Sequence, residues 1–243
     1  MPGKWIPLEC NPEVLNSWSK QVGVVTSQFQ FTDVYGLDPE LLALVPRPVL
    51  AVVLLFPLNG KIKEEREKEN EKYGKEPQPI DHTIFYIKQT IGNACGTMGL
   101  LHALTNSPIT IAPESPLEKY MHQCQDKTPD ERAKTLEETN LFTEVHAEAA
   151  GSGQSTLREQ DMDTDLHFTC FVQAPDPSAR DAEVETSHKR IIELDGRRVG
   201  PVDRGPVSSG DLLLDVAEFI KKHYMDQSSS MQFGMAALSP PEM

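Results

Sequence analysis

The sequence predicts an α+β fold, a mostly antiparallel sheet between helical layers in a single domain, residues 1–243. Three observations predict it. Val49–Phe56, Asp165–Val172 and Ile191–Leu194 are continuous or alternating apolar runs that read as strands. Helix-start signals, an Asn, Asp or Thr followed by Pro, recur at Asn11, Asp38 and Thr128. The second and third runs are placed to pair as an antiparallel hairpin.

Trp5-Ile-Pro-Leu reads as a short edge strand, because Pro7 cannot donate to a sheet. Asn11 caps a helix that runs to about Val22 and ends at Gly23. Phe29–Tyr35 reads as a strand, and Asp38 opens a helix ending before Pro46. Val49–Phe56 is apolar throughout, the mark of a central strand covered on both faces. Lys61–Glu76 carries six bases and six acids at helical pairing distances, so it reads as a solvated helix or a mobile loop. Ile84–Ile87 reads as a short strand leading into an apolar helix from Cys95. After a loop at Asn106–Pro116 come helices at Pro116–Gln125 and Pro129 to about Glu144, the second with a Thr128/Glu131 capping box. Ala149–Met162 is poor in large apolar residues and reads as a long loop. In the strand at Asp165–Val172, His167, Thr169 and Phe171 share one face. Pro175–Lys189 connects it to Ile191–Leu194, which closes on Asp195-Gly196. Asp211–Tyr224 is an amphipathic helix and Phe233–Leu238 a last strand.

Composition excludes some classes of function. The formal net charge is −14, which argues against nucleic acid and anionic membranes as partners. Half of it lies in Asp126–Leu166, with eleven acids against four bases, and its natural complement is a basic peptide. No apolar run is long enough to span a membrane, and no secretory signal is legible. The four cysteines form no C-x-x-C pair, so neither a zinc site nor a disulfide framework is expected. A reducing cytosolic or nuclear compartment and a monomer are expected, with no metal or cofactor.

Gln89–Leu104 carries the chemistry. Gly92-Asn93 breaks the preceding run and places Cys95 in the first turn of the helix. There, free backbone N–H groups and the helix dipole favour a thiolate. Gln89 offers an amide that, with the Cys95 N–H, suits an oxyanion. A small core residue and a nucleophile both remain open readings of Cys95. A nucleophile needs a base and a group to orient it. Of seven histidines, His102 is too far along the helix, since seven residues rise ~10.5 Å; it reads as a packing or buried hydrogen-bonding residue. His82 precedes the strand leading into the site, and His122, His146, His188 and His223 lie in polar contexts; all five read as surface residues. His167 stands at the start of one strand and Asp195 at the end of the next, so a hairpin brings them together across 28 positions. A structural histidine and an ordinary Asp-Gly turn are also open on those residues alone.

The motif Gln89-x-x-x-Asn93-Ala94-Cys95-Gly96-x-x-x-Leu100-Leu101-His102-Ala103 resembles the active-site signature of the ubiquitin C-terminal hydrolases, papain-like thiol proteases. Asp165-Leu-His-Phe and Glu193-Leu-Asp-Gly-Arg are similar to the family's His and Asp motifs. The resemblance runs from Trp5 to Leu238 and is nearest to the short members. Thr105 departs from the small residue usual at the motif's end. The resemblance implies a papain-like fold with a knotted backbone and a crossover loop at about Ala149–Met162. It implies Cys95, His167 and Asp195 as catalytic residues with Gln89 as oxyanion donor, Asp33 and Asn93 as substrate-binding positions, and ubiquitin as partner. The family's acid before the last strand is replaced here by Ser230. Two rival readings stand beside this one: a non-catalytic ubiquitin-binding module, and a thiol hydrolase acting on another substrate, such as a ubiquitin-like modifier.

Overall fold

A computed structural model describes residues 5–153, 164–179 and 188–241. Its centre is a six-stranded sheet in the order β1-β6-β2-β3-β4-β5, every neighbouring pair antiparallel. The strands are β1 (Gln30–Asp33), β2 (Ala51–Pro57), β3 (Leu166–Pro175), β4 (Lys189–Leu194), β5 (Val202–Pro206) and β6 (Gly234–Ser239). The helices are α1 (Pro12–Gln21), α2 (Pro39–Leu42), α3 (Gly60–Lys75), α4 (Cys95–Thr105), α5 (Pro116–Gln123), α6 (Pro129–Glu138), α7 (Thr143–Gly151) and α8 (Leu212–His223). The α+β sheet between helical layers is therefore as the sequence predicts.

Alternation along β2 and β3 builds two cores, one on each face of the sheet. Ala51, Val53, Phe168, Cys170 and Val172 pack with α1, α4 and α5. Val52, Leu54, Phe56 and Phe171 pack with α8. β2 lies between β6 and β3 and is covered on both sides, which explains its unbroken apolar run.

The start signals work as read at several helices. Asn11 accepts from the Glu13 N–H at 2.9 Å, and the Thr128–Glu131 capping box is complete. Gly23, at φ 108, ends the first helix turn in a conformation L-residues avoid. Asp38, by contrast, makes no side-chain cap, and α2 is only four residues long.

Other expectations fail for identifiable reasons. Trp5–Leu8 is not a strand: the Trp5 N–H donates to Gly92 O at 2.9 Å, and Ile6 O faces His146 Nε2 at 2.7 Å. Ile84–Ile87 is extended but unpaired in the sheet. Two of its N–H groups are taken by side chains, Phe85 N by Asn106 Oδ1 at 2.7 Å and Ile87 N by His102 Nε2 at 3.1 Å. The helix from Pro129 ends at Glu138, because Thr139 turns extended, and α7 starts afresh at Thr143. Ala149–Gly151, expected in a loop, closes α7, and most of the remaining loop lies outside the described residues. So does most of the Pro175–Lys189 connection. β5 has no signal in the sequence, since Gly205 and Pro206 both disfavour strands. Among the described residues no helix is long and apolar enough to cross a membrane.

His102 is buried, as read, but so is His146, which was expected at the surface. Its Nδ1 lies 2.8 Å from Thr97 Oγ1 on α4, and its ring lies 4.2 Å from Trp5, centroid to centroid. Burial pushes both imidazoles down to a pKa of about 4, from an ordinary 6.5. The unfolded chain therefore binds protons first, and stability is lost as pH falls from 6.5 towards 4. The loss is about 3 kcal/mol per histidine at the acid end. Urea unfolding at pH 7 and pH 4.5 should show a smaller loss in His146→Gln than in the native protein. Equal losses would mean that His146 does not contribute.

Candidate active site

The site forms where the N-terminus of α4 meets the ends of β3 and β4. Asn93, at φ 59, turns the chain so that Cys95 is the first helical residue. No side chain caps α4, so its first N–H groups remain available. Gly96 lets the helix close onto its neighbours: a Cβ there would stand 2.9 Å from Leu8 Cβ and 3.3 Å from Phe168 Cε2.

From the sheet comes His167, near the start of β3 and fully buried. The hairpin register pairs Cys170 with Leu194, which leaves His167 and Asp195 just past the end of the ladder. His167 Nε2 lies 2.9 Å from Asp195 Oδ1. The imidazole and the Cys95 thiol are near enough for each to shift the other's pKa. Phe56 meets the imidazole edge-on, with centroids 5.8 Å apart.

Electrostatics follow from this order of groups. Burial raises the thiol's pKa, but the influence of His167 outweighs it, and Cys95 is shifted down. Burial lowers the imidazole's pKa, but the carboxylate of Asp195 outweighs it, and His167 is shifted up. Burial also opposes ionisation of Asp195, but His167 and Arg66 hold it far below the usual carboxylate range. Cys10, Cys124 and Cys170 are all shifted up, chiefly by burial, Cys10 to about 12. Cys95 is thus the one cysteine of four whose surroundings favour the thiolate.

Gln89 reaches the site through the same turn that carries Asp195. Its N–H donates to Gly196 O at 2.9 Å, and its side-chain amide donates to Ile91 O at 3.1 Å. Gly196 has to be glycine, because a Cβ would come within 2.7 Å of Gln89 N and 2.8 Å of Gln89 Cβ. Asn93 lies beside the thiol in sequence and is partly exposed. Asp33 stands apart, on edge strand β1 opposite Ala236, where partial burial raises its pKa. Cys95, His167, Asp195 and Gln89 are therefore brought to one place, and Asp33 is not.

Sequence reasoning missed a shell of charge behind Asp195. The Lys61–Glu76 run is a helix, but it is not solvated all round. Arg66 on α3 is buried, and it bonds Asp195 Oδ2 as well as Glu193 Oε1 and Tyr224 Oη, both at 2.8 Å. Glu69 on the same helix accepts from Arg198 at 2.6 Å and from Arg204 at 2.5 Å. One signal was present: Arg66 is the only Arg among the run's bases, and it lies four residues from Ile62 and three from Glu69.

A buried imidazole–carboxylate pair near a thiol at a helix N-terminus, on this sheet, suits a cysteine-type hydrolase. Comparison with known proteins narrows the class. The family description "Ubiquitin carboxyl-terminal hydrolase, family 1" matches residues 5–226. Ubiquitin carboxyl-terminal hydrolase 3 of Arabidopsis thaliana is 40% identical over 238 residues, covering 97% of this chain and 94% of the plant protein. Ubiquitin carboxyl-terminal hydrolase isozyme L1 of Homo sapiens is 33% identical, covering 96% of each chain. The chain therefore belongs to ubiquitin carboxyl-terminal hydrolase family 1, and is a cysteine peptidase. Its fold is similar to that of the UCH37 catalytic domain of Trichinella spiralis bound to ubiquitin vinyl methyl ester. That match has a TM-score of 0.69 over 98% of this chain and 96% of the other, at 20% identity.

The direction of the Cys95 shift predicts that iodoacetamide alkylates it with a midpoint below the ordinary thiol value of 9.0. His167→Ala should move that midpoint up, measured by mass spectrometry across pH. Gly196→Ala should destabilise the fold by about 1–3 kcal/mol through overpacking against Gln89, read by thermal unfolding.

Proposed function

We propose that the protein hydrolyses bonds at the C-terminal glycine of ubiquitin, with Cys95, His167 and Asp195 as catalytic residues and Gln89 as oxyanion donor. The observation that supports this best is the buried His167–Asp195 pair, 2.9 Å apart, coupled electrostatically to the Cys95 thiol at the start of α4. Family membership supplies the substrate, since the relatives carry ubiquitin hydrolysis in their names.

His167 takes the Cys95 proton, and the thiolate attacks the carbonyl carbon of the terminal glycine. The tetrahedral oxyanion receives the Cys95 backbone N–H and the Gln89 amide. An amide carries two N–H groups; Ile91 O engages one and so aims the other. His167⁺ protonates the leaving amine, which departs as the thioester forms. Water, deprotonated by His167, then cleaves the thioester and restores the thiol. Asp195 holds the imidazole in one tautomer and stabilises its charged form throughout.

Ubiquitin ends in a basic tail closing on two glycines, which suits a protein of net charge −14. Asp33 and Asn93 are proposed as substrate-contacting positions. A crossover loop at about Ala149–Met162, with the family's knotted backbone, would limit the leaving group to small adducts and short peptides. The free thiols suit a reducing cytosol or nucleus.

Cys95→Ala should abolish release of a fluorogenic amide from the ubiquitin C-terminus while ubiquitin binding persists. Retained turnover in that variant would remove the nucleophile assignment. Gln89→Ala should cost ~2.7–4 kcal/mol in the barrier, read as kcat on the same substrate. Added salt should raise KM by screening the basic tail. Folded diubiquitin should be cut far more slowly than a ubiquitin–peptide fusion; equal rates would rule out a loop that sorts leaving groups by size.

A further inference from the structure

The catalytic reading leaves a buried cluster of charge behind Asp195 without a task. Arg66 reaches in from α3 between two carboxylates, and each of its terminal nitrogens is engaged. One nitrogen bonds the Asp195 oxygen that His167 does not use; the other bonds Glu193 Oε1 and Tyr224 Oη. Asp195 Oδ1 serves His167 and also accepts the Arg197 N–H at 2.9 Å. The guanidinium carbon sits 5.2 Å from the centroid of the Phe56 ring, the same ring that walls His167.

We propose that Arg66 is a positioning residue for the hydrolytic reaction: its guanidinium fork fixes the Asp195 carboxylate towards His167 and limits the basicity of the imidazole. This rests on the assignment of Cys95, His167 and Asp195 made above. A carboxylate has two oxygens and rotates about its bond to Cβ. With Oδ2 anchored, Oδ1 has one direction left, and the imidazole is held in register with the thiol. A planar fork grips Asp195 and Glu193 from two nitrogens in a fixed geometry; an ammonium offers its donors from a single point.

The charge acts in a second way. The groups coupled to the imidazole are Cys95 from α4 and Asp195 from the turn; Arg197 acts on both of these, and Arg66 from α3 on Asp195. Behind them stand Glu193 from β4, Tyr224 from α8 and Arg204 from β5, with His102 of α4 beyond Asp195. Arg66 is the cation that meets Asp195 directly. Removing it leaves Asp195 and Glu193 less neutralised, so a protonated His167 becomes more stable. The alkaline limb of the pH–rate profile, where His167⁺ loses its proton, must then move up. Surface attachment of α3 alone would not move it.

The test uses the full chain and a fluorogenic ubiquitin C-terminal amide. Native protein, Arg66→Met, Arg66→Lys and Cys95→Ala are compared, with active sites counted by a ubiquitin vinyl methyl ester probe. Arg66→Met should lose about 10–100-fold in kcat per labelled site with KM little changed. Its alkaline limb should rise by about one unit. Arg66→Lys should bring the limb back towards the native position but restore only part of kcat. Should Arg66→Met not fold, the double variant Arg66→Met/Glu193→Gln, which removes one of the two buried carboxylates that Arg66 compensates, carries the same comparison of kcat. Native kcat per site and a native limb in the Arg66 variants, with Cys95→Ala inactive, would overturn the role of Arg66 alone. Turnover in Cys95→Ala would overturn the catalytic assignment and this inference with it.

Discussion

A carboxylate enclosed on every side has to be compensated, and the architecture around Asp195 answers that demand. Isolated, such a charge would neutralise itself by taking up a proton. Here His167 stands on one oxygen and Arg66 on the other, and the Arg197 N–H adds a third contact. Glu193 sets the same problem two residues earlier and is met by Arg66, Arg204 and Tyr224. Strands β4 and β5 and helices α3 and α8 are thereby tied to one point through charge rather than apolar contact. Apolar burial builds the two cores, but this cluster decides how their edges are aligned.

In the proposed mechanism the two layers of the protein supply different parts of the chemistry. Helix α4, packed against β2 and β3, delivers the thiol with its bare N-terminus. The β3–β4 hairpin delivers base and carboxylate from the end of the sheet. Neither part is competent alone, and the contact between them is secured by small residues. Gly96 lets α4 approach Phe168, and Gly196 lets the Asp195 turn approach Gln89. Tyr86 lies under the turn, with its hydroxyl 2.8 Å from the carbonyl oxygen of Asp195.

Much of this was legible because it is local. Helix caps at Asn11 and Thr128, the turn at Asn93 and the hairpin geometry joining His167 to Asp195 all depend on short-range rules. What escaped was decided at long range. His146 looked polar in its own neighbourhood, but it is covered by Trp5 and Ile6, about 140 positions away in the chain. The Ile84–Ile87 segment had a strand's composition, but Asn106 and His102 occupy its backbone groups. Strand β5 is specified by its partner β4 and not by its own residues. Arg66 was concealed by its neighbours: in a run of alternating charges the one buried member looks like the rest.

The close approach of Gly196 to Gln89 has a further meaning. In the proposed mechanism, the carboxylate that orients the base and the amide that receives the negative oxygen are borne by two backbones in direct contact, joined by one peptide hydrogen bond. They cannot drift independently. A small molecule that wedges between these backbones would disable both functions at once, without touching the sulfur.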